Sequence, residues 1–366
     1  MNPNERVPVQ IYHLSHIDLD GYGCQYLTRQ CFEKIRCFNA NYGPEVGARL
    51  EQMLQLVREK RLQGEEGEIL LLITDLNLST KECNRLEKDA MEAGAKIQLL
   101  DHHATGASAA ERFAWYFLDT KRCATKITYD WLREKFGFDA QGKNEKIVDA
   151  IDAIDIWKEE SPYFEYGKVL LGMISGAREV NRILFPDEDR AYKLSLIEAA
   201  RKILEEVPLE EAPIVLDEAL HGSKKRFFLL GKNDTKDNLV AEYVTRLLGN
   251  DKERMTIDYR GYKGILGYNV GSASLIGNAF LLANPDYDFY MDVNSRGNFS
   301  LRSNDKLDVS SMAAEIGNGG GHPNASGGKI ENYKDSFVYD DFRSFIQNYI
   351  DEKTQNRCEE EEEKEA

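Results

Sequence analysis

The sequence lacks any CxxC pair, and its six cysteines (Cys24, Cys31, Cys37, Cys83, Cys123 and Cys358) are scattered along 366 residues. Such spacing excludes a disulfide framework and a thiolate zinc site, and reads as reduced thiols. No apolar run approaches the roughly 20 residues of a membrane span, and the opening MNPNERVPVQ has no signal-peptide layout. A soluble, cytoplasmic protein with no membrane partner is expected. Basic charge is also short, with 47 Lys and Arg against 63 Asp and Glu and a formal net charge of −16. Part of that excess sits in the terminal CEEEEEKEA, but the body is acidic without it. This argues against a long nucleic-acid duplex as partner, because duplex phosphates require a basic face. A small anionic substrate, held by metal ions and a few Arg or Lys, stays open.

What is present is core material. Apolar residues make up 42% of the chain, with 18 Tyr and 16 Phe, enough for a packed globular protein. Its length predicts two domains. In the first half, strand-like VQIYHLS, RCFNANYG, GEILLLITDLNLS and AKIQLLDHH alternate with helical GYGCQYLTRQCFEKI, PEVGARLEQMLQLVREKRL and TKECNRLEKDAMEAG. This βαβ rhythm predicts an α/β fold, a doubly wound parallel sheet with helices on both faces. After about Phe227 the elements shorten, as in YDFYMDVN, NFSLRS and VSSMAAEIG, which predicts a smaller α+β domain. The expected limits are a first domain over 1–200, a helical linker over 201–225, a second domain over 226–350 and a disordered acidic tail over 351–366.

Histidine is scarce, six in all, yet five lie in the settings HLSHIDLD, LLDHHA and GGGHPNASGG. Ligands of parallel sheets bind at the carboxyl ends of strands. His16, Asp18 and Asp20 follow one apolar run, Asp75 another, and Asp101, His102 and His103 a third, so three polar corners point at one crevice. A single Asp there is usually a turn or cap residue; with three corners present, a ligand set is the stronger reading. Carboxylate and imidazole without thiolate suit a hard or borderline divalent ion. Asp149, Asp152 and Asp155 recur at three-residue spacing in DAIDAIDIW. Any one of them is ordinarily a solvated helix face, and Asp155 is preferred over Asp152 as the one that completes a second ion site.

Taken in order, HIDLDG, ITDL, LLDHHA, AIDAID and NGGGHPNASGG resemble the successive motifs of the DHH phosphoesterase superfamily with its DHH-associated C-terminal domain. HLSHIDLDGYGC most resembles the NrnB-type oligoribonuclease (nanoRNase) branch. The resemblance implies two divalent ions, Mn²⁺ first and Mg²⁺ or another ion second. His16, Asp18 and Asp75 would hold one, and Asp20, Asp75, His102 and Asp155 the other. It further implies that His103 contacts the scissile phosphate or orients a ligand, with Asp101 supporting the histidines. His13 has no secure counterpart in the pattern and reads as structural. In the second domain the resemblance implies substrate binding by Ser300, Arg302, Gly319, Gly320, Gly321, His322 and Asn324, with the active site in the cleft between the domains. Arg302 suits a terminal phosphate, and consecutive glycines allow close backbone approach. Ser326 is a secondary candidate, whereas Arg296 and Lys329 read first as solvated surface.

The expected activity is therefore a two-metal phosphodiesterase or exonuclease on short oligonucleotides, extending to 3′-phosphoadenosine 5′-phosphate. A cyclic- or linear-dinucleotide phosphodiesterase is the alternative. An inorganic pyrophosphatase would leave the GGGH segment unexplained, and an inactive nucleotide-binding protein would not need every acidic ligand. A homodimer is compatible with the family.

Overall fold

The computed structural model describes residues 9–229 and 231–365; MNPNERVP, on which the leader question turns, lies outside the described residues. The chain divides into two compact units, Met1–Ala177 with Arg190–Ser223, and Arg178–Asp189 with Lys224–Ala366.

In the first unit, strands β1 (Gln10–Ser15), β2 (Ile35–Asn39), β3 (Ile69–Thr74), β4 (Lys96–Asp101) and β5 (Tyr116–Leu118) form one sheet in the order β2-β1-β3-β4-β5. All four pairings are parallel. The run ILLLIT of β3 is apolar throughout because a central parallel strand is covered on both faces. Leu71 and Ile73 enter the core on one face, Leu72 that on the other. Local signals set the helix limits. Pro44 opens the helix Pro44–Leu62, and Ser79 with Glu82 forms a reciprocal capping box for Thr80–Ala93, which ends at left-handed Gly94. The chain leaves β1 for β2 on one side and returns to β3 on the other. The β1/β3 gap is thus where strand order reverses, and their carboxyl ends open a crevice there.

Two expectations on domain limits change. Residues 201–223 are not a linker but part of the first unit, because the helix Pro186–Glu206 packs into it. Tyr166 Oη donates to Ala200 O at 2.6 Å, Tyr26 Oη to Glu198 at 2.5 Å and Arg190 Nε to Asn39 Oδ1 at 3.0 Å. The excursion Arg178–Asp189 belongs instead with the second unit, where Glu179 meets Lys236 at 3.0 Å.

The second unit holds β6 (Thr256–Tyr259), β7 (Tyr262–Tyr268), β8 (Phe289–Val293), β9 (Asn298–Ser303), β10 (Gly320–His322) and β11 (Ala325–Lys329), ordered β10-β11-β9-β8-β7-β6. Only β7 and β8 run parallel, joined through the helix Ala273–Ala283. The acidic tail, expected to be disordered, continues the helix Tyr339–Glu365. Glu and Lys are good helix formers, and extending an existing helix carries no new nucleation cost, which offsets the like-charge repulsion in the tail.

His13 sits on β1, fully buried, with Nδ1 2.9 Å from Thr28 Oγ1 and Nε2 2.8 Å from Thr74 Oγ1. Burial, with the Arg190 charge second, lowers its pKa to about 3 from 6.5. Between those two values the unfolded chain binds a proton that the folded chain refuses, so stability falls as pH drops through the window. A His13→Gln variant should lose less, by up to about 1.4 kcal/mol per pH unit. Urea unfolding from pH 6.5 to 4.5 measures this, and parallel curves for the two proteins would contradict it.

Candidate metal centre

The polar corners at the carboxyl ends of β1, β3 and β4 converge. Asp18 is the N-cap of the helix Leu19–Cys31 and accepts from Gly21 N at 3.0 Å. That tight turn needs glycine at 21, since a Cβ there would lie 2.3 Å from His16 O. His16 Nδ1 is then 2.7 Å from Asp18 Oδ2 and 3.7 Å from Asp75 Oδ2. Asp20, in the first turn of the helix, is buried and accepts from Ala124 N and Thr125 N at 2.7 Å each. Asp75 follows β3 directly in a left-handed conformation (φ 56°), which Asp tolerates better than most residues. Its N–H donates to Leu100 O of β4 at 3.1 Å.

His102 joins the groups. Its Nε2 lies 3.3 Å from Asp75 Oδ1, 3.5 Å from Asp155 Oδ2 and 3.7 Å from Asp20 Oδ2. Three sets of potential ligand atoms, each within 4.8 Å of one another, result: His16, Asp18 and Asp75; Asp75, His102 and His103; and Asp20, His102 and Asp155. Asp75 offers Oδ2 toward His16 and Oδ1 toward His102. Of the three aspartates on the helix Glu145–Asp155, only Asp155 reaches this centre. Asp152 accepts from Cys123 N at 2.8 Å and Lys158 Nζ at 2.5 Å, and Asp149 meets Lys126 at 3.0 Å.

The electrostatics ask for cations. Among the described residues, the ion-pair partners of Asp18, Asp20, Asp75 and Asp155 are histidines only. Asp75 Oδ2 is buried without a hydrogen-bond partner, an arrangement that costs free energy unless something binds it. Burial, reinforced by Asp20 and Asp18, pushes the Asp75 pKa well above the carboxylate range and Asp155 up to about 9. Asp18 goes the other way: burial alone would raise it, but the His16 hydrogen bond and charge bring it down to about 2. Buried carboxylates that repel one another, an unpartnered oxygen and imidazole nitrogens form a donor set that fits divalent ions.

His103 stands beside the centre, half-buried, with Nδ1 2.7 Å from Asp101 Oδ1. The Asp101 hydrogen bond raises its pKa, so it keeps its proton to higher pH than a free imidazole. Asp101 is itself fixed by Tyr116 Oη, which donates to Oδ2 at 2.8 Å. Tyr42 was not anticipated from the sequence. Its hydroxyl lies 3.0 Å from His103 Nε2 and its ring packs 4.8 Å from that of His16. The strand-end rule could have found it, because Tyr42 follows β2 at the same edge of the sheet.

A family model described as the DHHA1 domain matches residues 285–352. The chain is 44% identical over 351 residues to the 3′,5′-cyclic-nucleotide phosphodiesterase of Helicobacter pylori, covering 93% of this chain and 98% of that protein. The chain belongs to the DHH phosphoesterase superfamily. Membership makes it a phosphoester hydrolase. It is also 27% identical over 346 residues to oligoribonuclease NrnB of Bacillus subtilis, covering 91% of this chain and 76% of that one. The crystal structure of an uncharacterized protein from Helicobacter pylori G27 superposes with a TM-score of 0.86 at 43% identity, covering 94% of this chain and 99% of that chain.

The DHHA1 unit places the other candidates. Ser300 and Arg302 lie on β9, half-exposed, and Arg302 donates to Leu301 O at 2.7 Å and to Ser274 Oγ. The GGGH segment is not an open loop but the β10–β11 hairpin, in which Gly320 faces Gly327 and His322 faces Ala325. Gly319, Gly320, Gly321 and His322 line its outer edge, half or more exposed. Asn324 at the turn is engaged with Asp305, donating at 2.6 Å and accepting from its N–H at 2.9 Å, so it is tied to the hairpin fold. Ser326 donates to His322 O at 2.7 Å.

Removing the shared carboxylate tests the centre directly. Asp75→Asn should leave a folded protein, no less heat-stable in chelator, whose Mn²⁺ affinity by calorimetry drops by more than the roughly 10–100-fold typical of an outer-shell partner. Unchanged affinity would remove Asp75 from the ligand set.

Proposed function

We propose that the protein is a divalent-metal-dependent phosphodiesterase that opens 3′,5′ phosphodiester bonds of small nucleotides, cyclic mononucleotides first. The observation that carries this reading is that Asp75, at the β1/β3 strand ends, belongs to two groups of potential ligands, one with His16 and Asp18 and one with His102 and His103, beside the group Asp20, His102 and Asp155. Two ions held there would acidify a water and neutralise charge on a phosphoryl group in line with it, and Mn²⁺ is the first candidate. His16, Asp18 and Asp75 are assigned to one site, and Asp20, Asp75, His102 and Asp155 to the other.

The chain's own groups supply the rest. His103, steadied at Nδ1 by Asp101, presents Nε2 on the open side of the centre, where it now meets Tyr42. A proton held at that nitrogen can be donated to a phosphoryl oxygen or a departing alkoxide. Arg302 and His322 are assigned to the far end of the substrate, with the glycine edge of β10 allowing close approach. A chain with 47 Lys and Arg against 63 Asp and Glu suits a substrate gripped at a few points.

The cyclic-nucleotide reading is supported by the Helicobacter pylori relative. Short oligonucleotides are the second reading, supported by the Bacillus subtilis oligoribonuclease. Rates with Mn²⁺ on 3′,5′-cyclic mononucleotides, end-labelled di- to pentanucleotides, 3′-phosphoadenosine 5′-phosphate, a cyclic dinucleotide and pyrophosphate separate them. The cyclic mononucleotides should turn over fastest; faster oligonucleotide cleavage would favour the second reading, and turnover of pyrophosphate alone would reject both. Asp75→Ala should abolish turnover of every diester while the protein stays folded, and full activity of metal-depleted wild type would sink the two-metal assignment. Arg302→Ala and His322→Ala should each slow the natural substrate at least tenfold more than a small artificial phosphodiester. Equal losses would argue against a substrate grip.

A further inference from the structure

Tyr42 lies in the short turn NYG that joins β2 to the helix Pro44–Leu62, and neither metal site assigned above uses it. Hydrogen bonds hold the turn. Tyr42 N donates to Asn41 Oδ1 at 2.9 Å, and Asn41 N donates to the buried Glu45 at 2.9 Å. Asn39, at the end of β2, donates to His16 O at 2.9 Å. Gly43 follows Tyr42 with φ 92°, a conformation that favours glycine, and turns the chain into the helix.

The Tyr42 ring packs on two histidines, with centroids 4.8 Å from His16 and 5.7 Å from His103. Asp75, Asp101, Asp18 and Asp155 all lie within electrostatic reach of its hydroxyl. A phenylalanine would pack as well there, so packing leaves the hydroxyl unexplained. That hydroxyl meets His103 Nε2 at 3.0 Å. Nδ1 of His103 is taken by Asp101 at 2.7 Å, so Nε2 is the nitrogen left for a substrate. A substrate oxygen could bond Nε2 directly only by displacing a side chain that its backbone and ring contacts hold in place. Tyr42 is nevertheless 42% exposed, so its own O–H is accessible to an incoming group.

We infer that Tyr42 is a catalytic residue, the last donor in a relay from His103 to the oxygen that leaves phosphorus. The relay rests on the phosphodiesterase reading above, and deepens it by naming the group that touches the departing oxygen. When Nε2 carries the proton, its N–H points at Tyr42 Oη, and the phenol O–H is free to point outward. As the P–O bond breaks, its electron pair stays on the departing oxygen, which takes the phenol proton. The Nε2 proton passes to Oη in the same step, leaving a neutral His103 and an intact phenol. Solvent then returns a proton to Nε2.

Changing only the leaving group tests this. A 3′,5′-cyclic AMP or a dinucleotide releases an alkoxide, which needs a proton, whereas the p-nitrophenyl ester of 5′-AMP releases a phenolate that departs without one. General-acid assistance is worth roughly 100- to 10,000-fold. Tyr42→Phe keeps the ring on His16, so it should stay folded and bind Mn²⁺ by calorimetry as wild type does. On whichever alkoxide substrate wild type turns over, its kcat should fall at least about tenfold more than on the p-nitrophenyl ester, with KM little changed. Equal losses on the two, no loss on either, a loss carried by KM alone, or weakened Mn²⁺ binding would each overturn the relay. Failure of the phosphodiesterase reading is a different result, in which wild type itself turns over neither kind of ester.

Discussion

Four carboxylates, Asp18, Asp20, Asp75 and Asp155, are brought to one strand edge with imidazoles as their ion-pair partners. Two like charges 4 Å apart repel by about 4 kcal/mol at an effective dielectric of 20, and a whole domain is stable by only about 5–15 kcal/mol. The fold cannot hold all four ionised and unpaired. Either protons or cations must offset the charge, and the raised pKa values of Asp75 and Asp155 are the proton-bound side of that balance. Much of the surrounding structure fixes these side chains against their repulsion. Gly21 N caps Asp18, the backbone N–H groups of Ala124 and Thr125 hold Asp20, and the β4 carbonyl of Leu100 anchors the left-handed turn at Asp75. Carboxylates whose ion-pair partners among the described residues are histidines alone make up groups that could hold a cation.

Sheet order makes that convergence achievable. In the order β2-β1-β3-β4-β5 the reversal falls between β1 and β3, so the turn after β1 and the turn after β3 diverge to opposite faces and leave a gap between them. β4 borders the same gap on the far side of β3 and delivers His102 and His103. Three segments separated by about 25–60 residues of chain thus meet within hydrogen-bonding distances, because a parallel strand advances only about 3.3 Å per residue and ends in register with its neighbours.

Legibility in the sequence followed the same logic. An apolar run that stops at a titratable residue marks a parallel strand meeting its crevice, and so His16, Asp18, Asp20, Asp75 and the DHH corner could be assigned to one edge. Asp155 was harder, since Asp149, Asp152 and Asp155 share a helix and three-residue spacing. What separates them is the partner each meets: Lys126 for Asp149, Lys158 and Cys123 N for Asp152, His102 for Asp155. Lys126, Cys123 and His102 lie on other elements, which no local pattern encodes; only Lys158 is local, six residues beyond Asp152. Tyr116 was illegible for a related reason, as it acts through a side chain 15 residues away, whereas Tyr42 lay within reach of the strand-end rule although its partner His103 is 61 residues on. The packing of the helix Pro186–Glu206 into the first unit likewise depends on Tyr26, Tyr166 and Asn39, far upstream.

The glycines of the second unit show where a motif reading and a packing reading differ. A Cβ on Gly319 would lie 2.2 Å from Gly327 O, and one on Gly328 would lie 2.6 Å from the Phe299 ring. These residues are glycine because the hairpin closes on the helix Val309–Gly317 and on β9, whatever the substrate. Gly320 differs, since a Cβ there would meet nothing within 4 Å. Packing does not demand glycine at that position, and it lies on the exposed edge strand beside His322. If the bare edge serves a ligand, the need is for close backbone approach, which a side chain at 320 would obstruct without disturbing the fold. The motif thus joins two physical demands in one run of letters: tight packing at 319 and 328, and open space at 320.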